Sequence, residues 1–146
     1  MADEVRVLAV DDDEAYRDLV RCFLEKDISD VEVDTYSDPE EALEQGGFSE
    51  YDLVVSDWNM PRMDGGDFGQ ELRKVEPDIP IIYFSSEDQQ DVEEAVLSLQ
   101  ARFLDKRDYD CLSDNVMELV EQNGDTAEEE FTLHHARNER PEKFLE

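Results

Sequence analysis

Five times along this chain a short apolar run gives way to a segment whose apolar residues recur at helical spacing. That repeated switch of period restricts the available folds more than any other feature of the sequence. Val5–Val10 is a β-branched run ending in Asp11-Asp12-Asp13, and Ala15, Leu19, Cys22 and Phe23 follow at the spacing of one helical face. Val31, Val33 and Thr35 alternate with acids. Asp38-Pro39-Glu40-Glu41 then supplies an N-cap, a proline at the first helical position and an acid at the capping-box position. Asp52–Ser56 is a third strand, and after Met63-Asp64-Gly65-Gly66 the residues Phe68, Leu72 and Val75 predict a helix closed by Pro77. Ile79–Phe84 reads as a fourth strand, with Val92, Ala95, Val96 and Leu99 marking the next helix. Arg102–Asp105 is a weak fifth strand, and Leu112, Val116, Leu119 and Val120 predict a last helix ending at Gly124.

Strands alternating with helices imply an α/β fold, a parallel sheet covered on both faces by right-handed crossover helices. Strands one, three and four are near-continuous apolar runs, as buried central strands are, whereas two and five are mixed and read as edges. In such a sheet the chemistry lies beyond the carboxyl ends of the central strands.

At 146 residues the chain is the size of one ordinary domain, and 39% hydrophobic content suffices for a single core. Its formal net charge is −29, from 42 acids against 13 Lys and Arg. Such a surface repels phosphate backbones and anionic lipid, which argues against nucleic-acid or membrane binding. The acids interrupt nearly every segment and so describe a coat on a folded domain, not a tail. Self-repulsion of this size is relieved by concentrated salt, so the composition is read as a halophilic adaptation. The opening MADEVRV has no basic n-region and no apolar stretch of about 7–15 residues, and a cytoplasmic location is expected. Cys22 and Cys111 are too few for a disulfide framework or a zinc site; both sit among apolar residues and are expected to be buried thiols.

The strand ends carry the reactive side chains. The first delivers Asp11, Asp12 and Asp13, the third Asp57 followed by Asn59, the fourth Ser85-Ser86 and the fifth Lys106. Carboxylates gathered this closely repel one another unless a cation is present, so the cluster predicts a hard divalent ion such as Mg²⁺.

In order and spacing, VLAVDDD, VVSDWNMPRMDG, PIIYFSS and the Lys106 after FLD resemble the receiver domain of two-component response regulators, over about residues 4–123. The segment from Asp57 to Gly65 is similar to the chemotaxis members. The resemblance implies a flavodoxin-like, doubly wound sheet of strand order 2-1-3-4-5. It implies Asp57 as phosphoacceptor, with Asp12, Asp11, Asp57 and the carbonyl of Asn59 holding Mg²⁺ or Mn²⁺. Lys106 would pair with a phosphoryl oxygen, Ser85 would hydrogen-bond the phosphoryl group, and Phe103 takes the aromatic switch position. Asn59 and Glu87 would flank the hydrolytic water and set a short lifetime, while Asp13 matches no ligand and is expected to cap a helix or face solvent. The implied partners are a sensor histidine kinase and a downstream protein, with room for a phosphorylation-dependent dimer.

Three departures fall on the output side. Lys106 precedes Arg107 where the family has proline, Gln100 stands where a glycine enters strand five, and Ser86 replaces a small Ala or Gly. Residues 124–146 form an acidic tail too short for an effector domain. Phe131, Leu133, Phe144 and Leu145 are its docking candidates, and His134 and His135, which as neighbours on a helix would point in different directions, are not expected to form a metal or phosphotransfer site. The leading expectation is a stand-alone receiver, not an enzyme beyond its own phosphorylation and dephosphorylation. Its rivals are a receiver-fold interaction module read without phosphorylation and an aspartyl-phosphate phosphatase of the haloacid dehalogenase type. The phosphatase is disfavoured because Asn59 stands where its second aspartate would.

Overall fold

In the computed structural model, which describes residues 4–86 and 89–124, the predicted alternation is realised strand by strand. The elements are β1 (Val5–Val10), α1 (Glu14–Asp27), β2 (Val31–Tyr36), α2 (Pro39–Gln45), β3 (Leu53–Ser56), α3 (Gly65–Val75), β4 (Ile81–Ser85), α4 (Gln89–Leu99), β5 (Arg102–Asp105) and α5 (Leu112–Gly124). Short 3-10 segments at Phe48–Glu50 and Lys106–Cys111 add to the pattern that the sequence predicts. All four strand pairings are parallel, in the order β2-β1-β3-β4-β5. Glu87 and the tail after Gly124, with Phe131, Leu133, His134, His135, Phe144 and Leu145, lie outside the described residues.

Side-chain alternation divides the core into two layers. Val7 and Ala9 of β1, Val55 of β3, Ile82 and Phe84 of β4 and Leu104 of β5 face Val20 and Leu24 of α1 and Leu112 and Val116 of α5. Leu8, Val10, Val54, Ile81 and Tyr83 face the other way, against Ala42 of α2, Phe68 and Leu72 of α3 and Leu99 of α4. The central strands read as continuous apolar runs because both of their faces are covered.

Helix starts follow their caps. Asp13 accepts a hydrogen bond from Ala15 N at 3.0 Å, Asp38 from Glu40 N at 3.0 Å, and Asp64 from Asp67 N at 2.9 Å. Asp13 is thus the cap of α1.

Several expectations are corrected. The inward face of α1 is Tyr16, Leu19, Val20 and Leu24, of which Leu19 was expected from its spacing, whereas Ala15 and Cys22 are exposed. Cys22 stands two residues from both Val20 and Leu24, about 200° around the helix, so it cannot share their face. Cys111 is also exposed, at the end of the 3-10 segment and one residue before buried Leu112. Val75, in the last turn of α3, is 58% exposed. Strand β4 begins at Ile81 and runs through Ser85, because Pro80 has no N–H to give to a ladder.

Helix α3 reaches the sheet through glycine. A Cβ on Gly69 would lie 2.2 Å from the Tyr83 hydroxyl oxygen, and that hydroxyl donates to Gly65 O at 2.7 Å. Gly69→Ala should therefore destabilise the fold by about 1–3 kcal/mol through overpacking. Combining it with Tyr83→Phe, which removes the clashing oxygen, should recover part of that loss in urea unfolding; strict additivity would refute the contact.

Gln100 enters β5 with φ of 57°, the left-handed conformation that the family's glycine would take without cost. Gln100→Gly should raise unfolding free energy by about 0.5–1 kcal/mol. A lower denaturation midpoint would contradict this account of the turn.

Candidate functional site

The ladder fixes the two innermost carboxylates. Beyond the ends of β1 and β3, Asp11 N donates to Tyr36 O at 3.1 Å and Asp57 N to Val10 O at 2.9 Å. Asp11 and Asp57 are thereby set side by side at the carboxyl edge of the sheet, where the strand order reverses between β1 and β3. With Asp12 they form a group in which one carboxylate oxygen from each residue lies within 4.8 Å of the others.

Lys106 arches in from the end of β5, its side chain only 6% exposed. Its Nζ lies 3.0 Å from Asp11 Oδ2, 3.4 Å from Asp57 Oδ2 and 3.8 Å from the centre of the Tyr16 ring. Asp57 Oδ1 accepts from Trp58 N at 2.7 Å, and Asp11 Oδ1 from Asp13 N at 2.9 Å. Burial pushes the Asp11 carboxyl up to about 6, with the Asp57 charge adding to it, against the lowering effects of the Asp13 amide and Lys106. One ammonium among three carboxylates leaves negative charge uncompensated, and an all-oxygen donor set suits a hard divalent cation. The residues present therefore fit Mg²⁺ or Mn²⁺, with Asp12, the exposed member, open to solvent and the incoming ion.

The loop after β3 is folded tightly onto Asp57. Gly65 N donates to Trp58 O at 2.7 Å, and a Cβ on Gly65 would meet Asp57 O at 2.5 Å and Trp58 Cα at 2.9 Å. No side chain fits there, which is the physical content of the Met63-Asp64-Gly65 segment. Asn59 lies in this loop, exposed, two residues from Asp57. Ser85 closes β4 and is buried, while Ser86 is exposed. Phe103 is half-buried against the layer that holds Tyr83, its register partner on β4.

Sequence reasoning missed three groups. Tyr16 supplies its ring to Lys106, and Arg17 Nη1 donates to Asp11 O at 2.8 Å. Both lie in the first turn of α1, directly after the acids, and that position was the signal available. Arg62, at φ 71°, ties the β3–α3 loop to the start of α2 through Asp38 and, at 3.5 Å, Glu40. The residue after Lys106 also behaves differently from a proline. Arg107 N donates to Asp105 Oδ1 at 2.8 Å and its guanidinium pairs with Asp105 Oδ2 at 2.7 Å, holding that carboxyl below its usual range. Among the described residues no peptide bond is cis.

Residues 7–116 match the family described as the response regulator receiver domain. The response regulator MprA of Mycobacterium leprae is 37% identical over 97 residues, which cover 66% of this chain and 41% of that protein. The chain thus spans about two fifths of the length of such curated relatives. Among solved structures, the chemotaxis response regulator CheY4 of Vibrio cholerae superposes with a TM-score of 0.70 at 27% identity, covering 80% of this chain and 99% of that one. A Francisella response regulator receiver domain gives 0.71 at 27% identity, covering 82% and 98%.

Trp58 is the single tryptophan and donates its backbone N–H to Asp57, so its emission should report cation binding. Mg²⁺ titration should change that emission, and Asp12→Asn should weaken the apparent affinity by about tenfold or more, since even outer-shell partners are worth that much. An unchanged titration in the variant would remove Asp12 from the ligand set.

Proposed function

This chain belongs to the response regulator receiver domain family, and from that premise we propose that it accepts a phosphoryl group on Asp57 from a histidine kinase and signals by protein–protein contact. The observation that carries the reading is the placement of Lys106 Nζ 3.4 Å from Asp57 Oδ2 and 3.0 Å from Asp11 Oδ2. An acceptor carboxylate is thereby paired with a buried cation at the edge of the sheet. In transfer, an Asp57 oxygen forms the new bond to phosphorus as the bond from phosphorus to the histidine nitrogen breaks, the electron pair returning to that nitrogen. Lys106 then meets the added negative charge on the phosphoryl oxygens. A divalent ion held by Asp11, Asp12, Asp57 and the Asn59 carbonyl would supply Lewis-acid neutralisation of the same oxygens.

In this reading Ser85 hydrogen-bonds the phosphoryl group, and Phe103 turns inward as it does so, altering the face around α4 and β5 that a partner or a second phosphorylated copy reads. Asn59, with Glu87, sets the lifetime of the signal, which this reading makes short. In this reading the domain acts in the cytoplasm and catalyses only its own phosphorylation and dephosphorylation. Among the described residues, no helix is long and apolar enough to cross a membrane.

Incubation with Mg²⁺ and acetyl phosphate in molar KCl, followed by intact mass, tests the central claim. An adduct of one phosphoryl group that Asp57→Asn abolishes supports it. An unmodified chain at every salt concentration would instead favour a receiver-fold interaction module, for which the Asp105–Arg107 clasp after β5 is the supporting feature.

The acid coat belongs to the same proposal. At the start of β1, Arg6 is shared by Glu32 and Asp34 of the edge strand β2 and by Glu50, at 3.5, 3.7 and 3.2 Å, in a chain with 42 acids and only 13 Lys and Arg. A screening length of about 3 Å at 1 M salt suppresses the remaining repulsion. The melting temperature should therefore rise from low salt to molar KCl, and a flat or falling profile would refute the halophilic adaptation.

A further inference from the structure

We propose that Tyr16 is a positioning residue for Lys106: its ring face seats the ammonium, holding Nζ where it meets the acceptor carboxylate and the incoming phosphoryl group. The inference rests on the phosphoacceptor reading of Asp57 given above.

An ammonium has three N–H donors and no acceptor. Two directions around Lys106 Nζ are taken by Asp11 Oδ2 at 3.0 Å and Asp57 Oδ2 at 3.4 Å. The Tyr16 ring centre lies 3.8 Å from the same nitrogen, well inside the range of a cation–π contact. With the lysine side chain 6% exposed, water contributes little, and the ring takes the place of a third partner. The ring is itself braced, meeting Phe84 edge-on with centroids 6.3 Å apart and planes at 87°. Phe84 directly precedes Ser85, so α1, the end of β4 and the end of β5 are joined through one aromatic contact chain. Asp13, the cap of α1, fixes the turn in which Tyr16 sits.

An aliphatic side chain of similar size fills the space beside Lys106 but offers no π face. The lysine is then attracted only by the carboxylates, and Nζ is free to move toward Asp11, its nearer partner, and away from Asp57. The cost falls on the transfer step that needs the ammonium near the phosphoryl oxygens. Binding of the divalent ion, which uses oxygen ligands alone, is spared.

The test compares wild type, Tyr16→Phe and Tyr16→Leu by two measurements. The first is the rate constant of phosphorylation by acetyl phosphate at saturating Mg²⁺, read by intact mass, with Mg²⁺ affinity read separately from Trp58 emission. Tyr16→Leu should slow phosphorylation about three- to thirtyfold, the range of a partly desolvated cation–π contact, with Mg²⁺ affinity within about twofold of wild type; Tyr16→Phe should keep most of the rate. The second measurement is the NMR shift of the Lys106 ε-methylene protons, which the ring should move upfield in wild type and Tyr16→Phe but not in Tyr16→Leu. Phosphorylation of Tyr16→Leu at the wild-type rate would overturn the proposal. So would Tyr16→Phe failing as badly as Tyr16→Leu, or unshifted ε-methylene protons in wild type. If wild type takes no phosphoryl group while the ε-methylene shift is present, the phosphoacceptor reading fails and the aromatic seat stands as a structural contact only.

Discussion

A buried ammonium at the edge of a parallel sheet is the constraint around which this structure is organised. Removing an isolated charge from water costs several kcal/mol, and Lys106 is tolerated because two carboxylates and an aromatic face surround it. Those partners come from three elements. Asp11 ends β1, Asp57 ends β3 and Tyr16 stands in the first turn of α1, so the ammonium is compensated only when the strand order is correct. The compensation is deliberately incomplete in charge terms: Asp12 joins the group, one cation faces three carboxylates, and the excess is what a divalent ion would neutralise.

The acceptor loop is held by shape as much as by charge. Tyr83 stands in the middle of β4 with its hydroxyl against the first turn of α3, and both glycines of that helix face are required by contact distance. Gly65 lets the helix start against the backbone of Asp57 and Trp58, and Gly69 makes room for the phenol. The packing of α3 on the core and the position of Asp57 are therefore one geometric problem. Trp58 closes it from the other side, meeting the Tyr83 ring edge-on at 5.2 Å.

What the sequence discloses follows from where information is local. Buried parallel strands are continuous apolar runs, and the acids that terminate them are adjacent in sequence, so the sheet and the group Asp11, Asp12 and Asp57 were readable directly. The helical face of α1 is legible only in part: Leu19 packs on the core as its spacing predicts, whereas Ala15 and Cys22 have little surface to bury and are exposed. The aromatic Tyr16, which packs against that layer, was passed over. The seat it makes for Lys106 joins residues ninety positions apart, and the Arg62 contact with Asp38 joins α2 to a loop two elements later. Neither leaves a periodic trace, since each exists only once the sheet has brought the strand ends together.

The departures from the family pattern are best understood through β5, the strand that touches both site and surface. It has a ladder partner on one side only. Gln100, left-handed, stands just before its start, and the Asp105–Arg107 clasp fixes its exit. Lys106, which pairs with Asp11 and Asp57, and Phe103, which faces the α4 side, are three residues apart, about 10 Å along an extended chain. Any displacement of Lys106 is therefore imposed on a four-residue strand whose two ends are already constrained by local chemistry. Where a glycine and a proline would let the backbone define these turns, here a strained side-chain-bearing residue and an ion pair do so. Salt reaches the ion pair directly, because the Arg107 side chain is 86% exposed, whereas the buried Lys106 pairs are shielded from it. The exit of β5 is thus more sensitive to ionic strength than the acceptor site it adjoins.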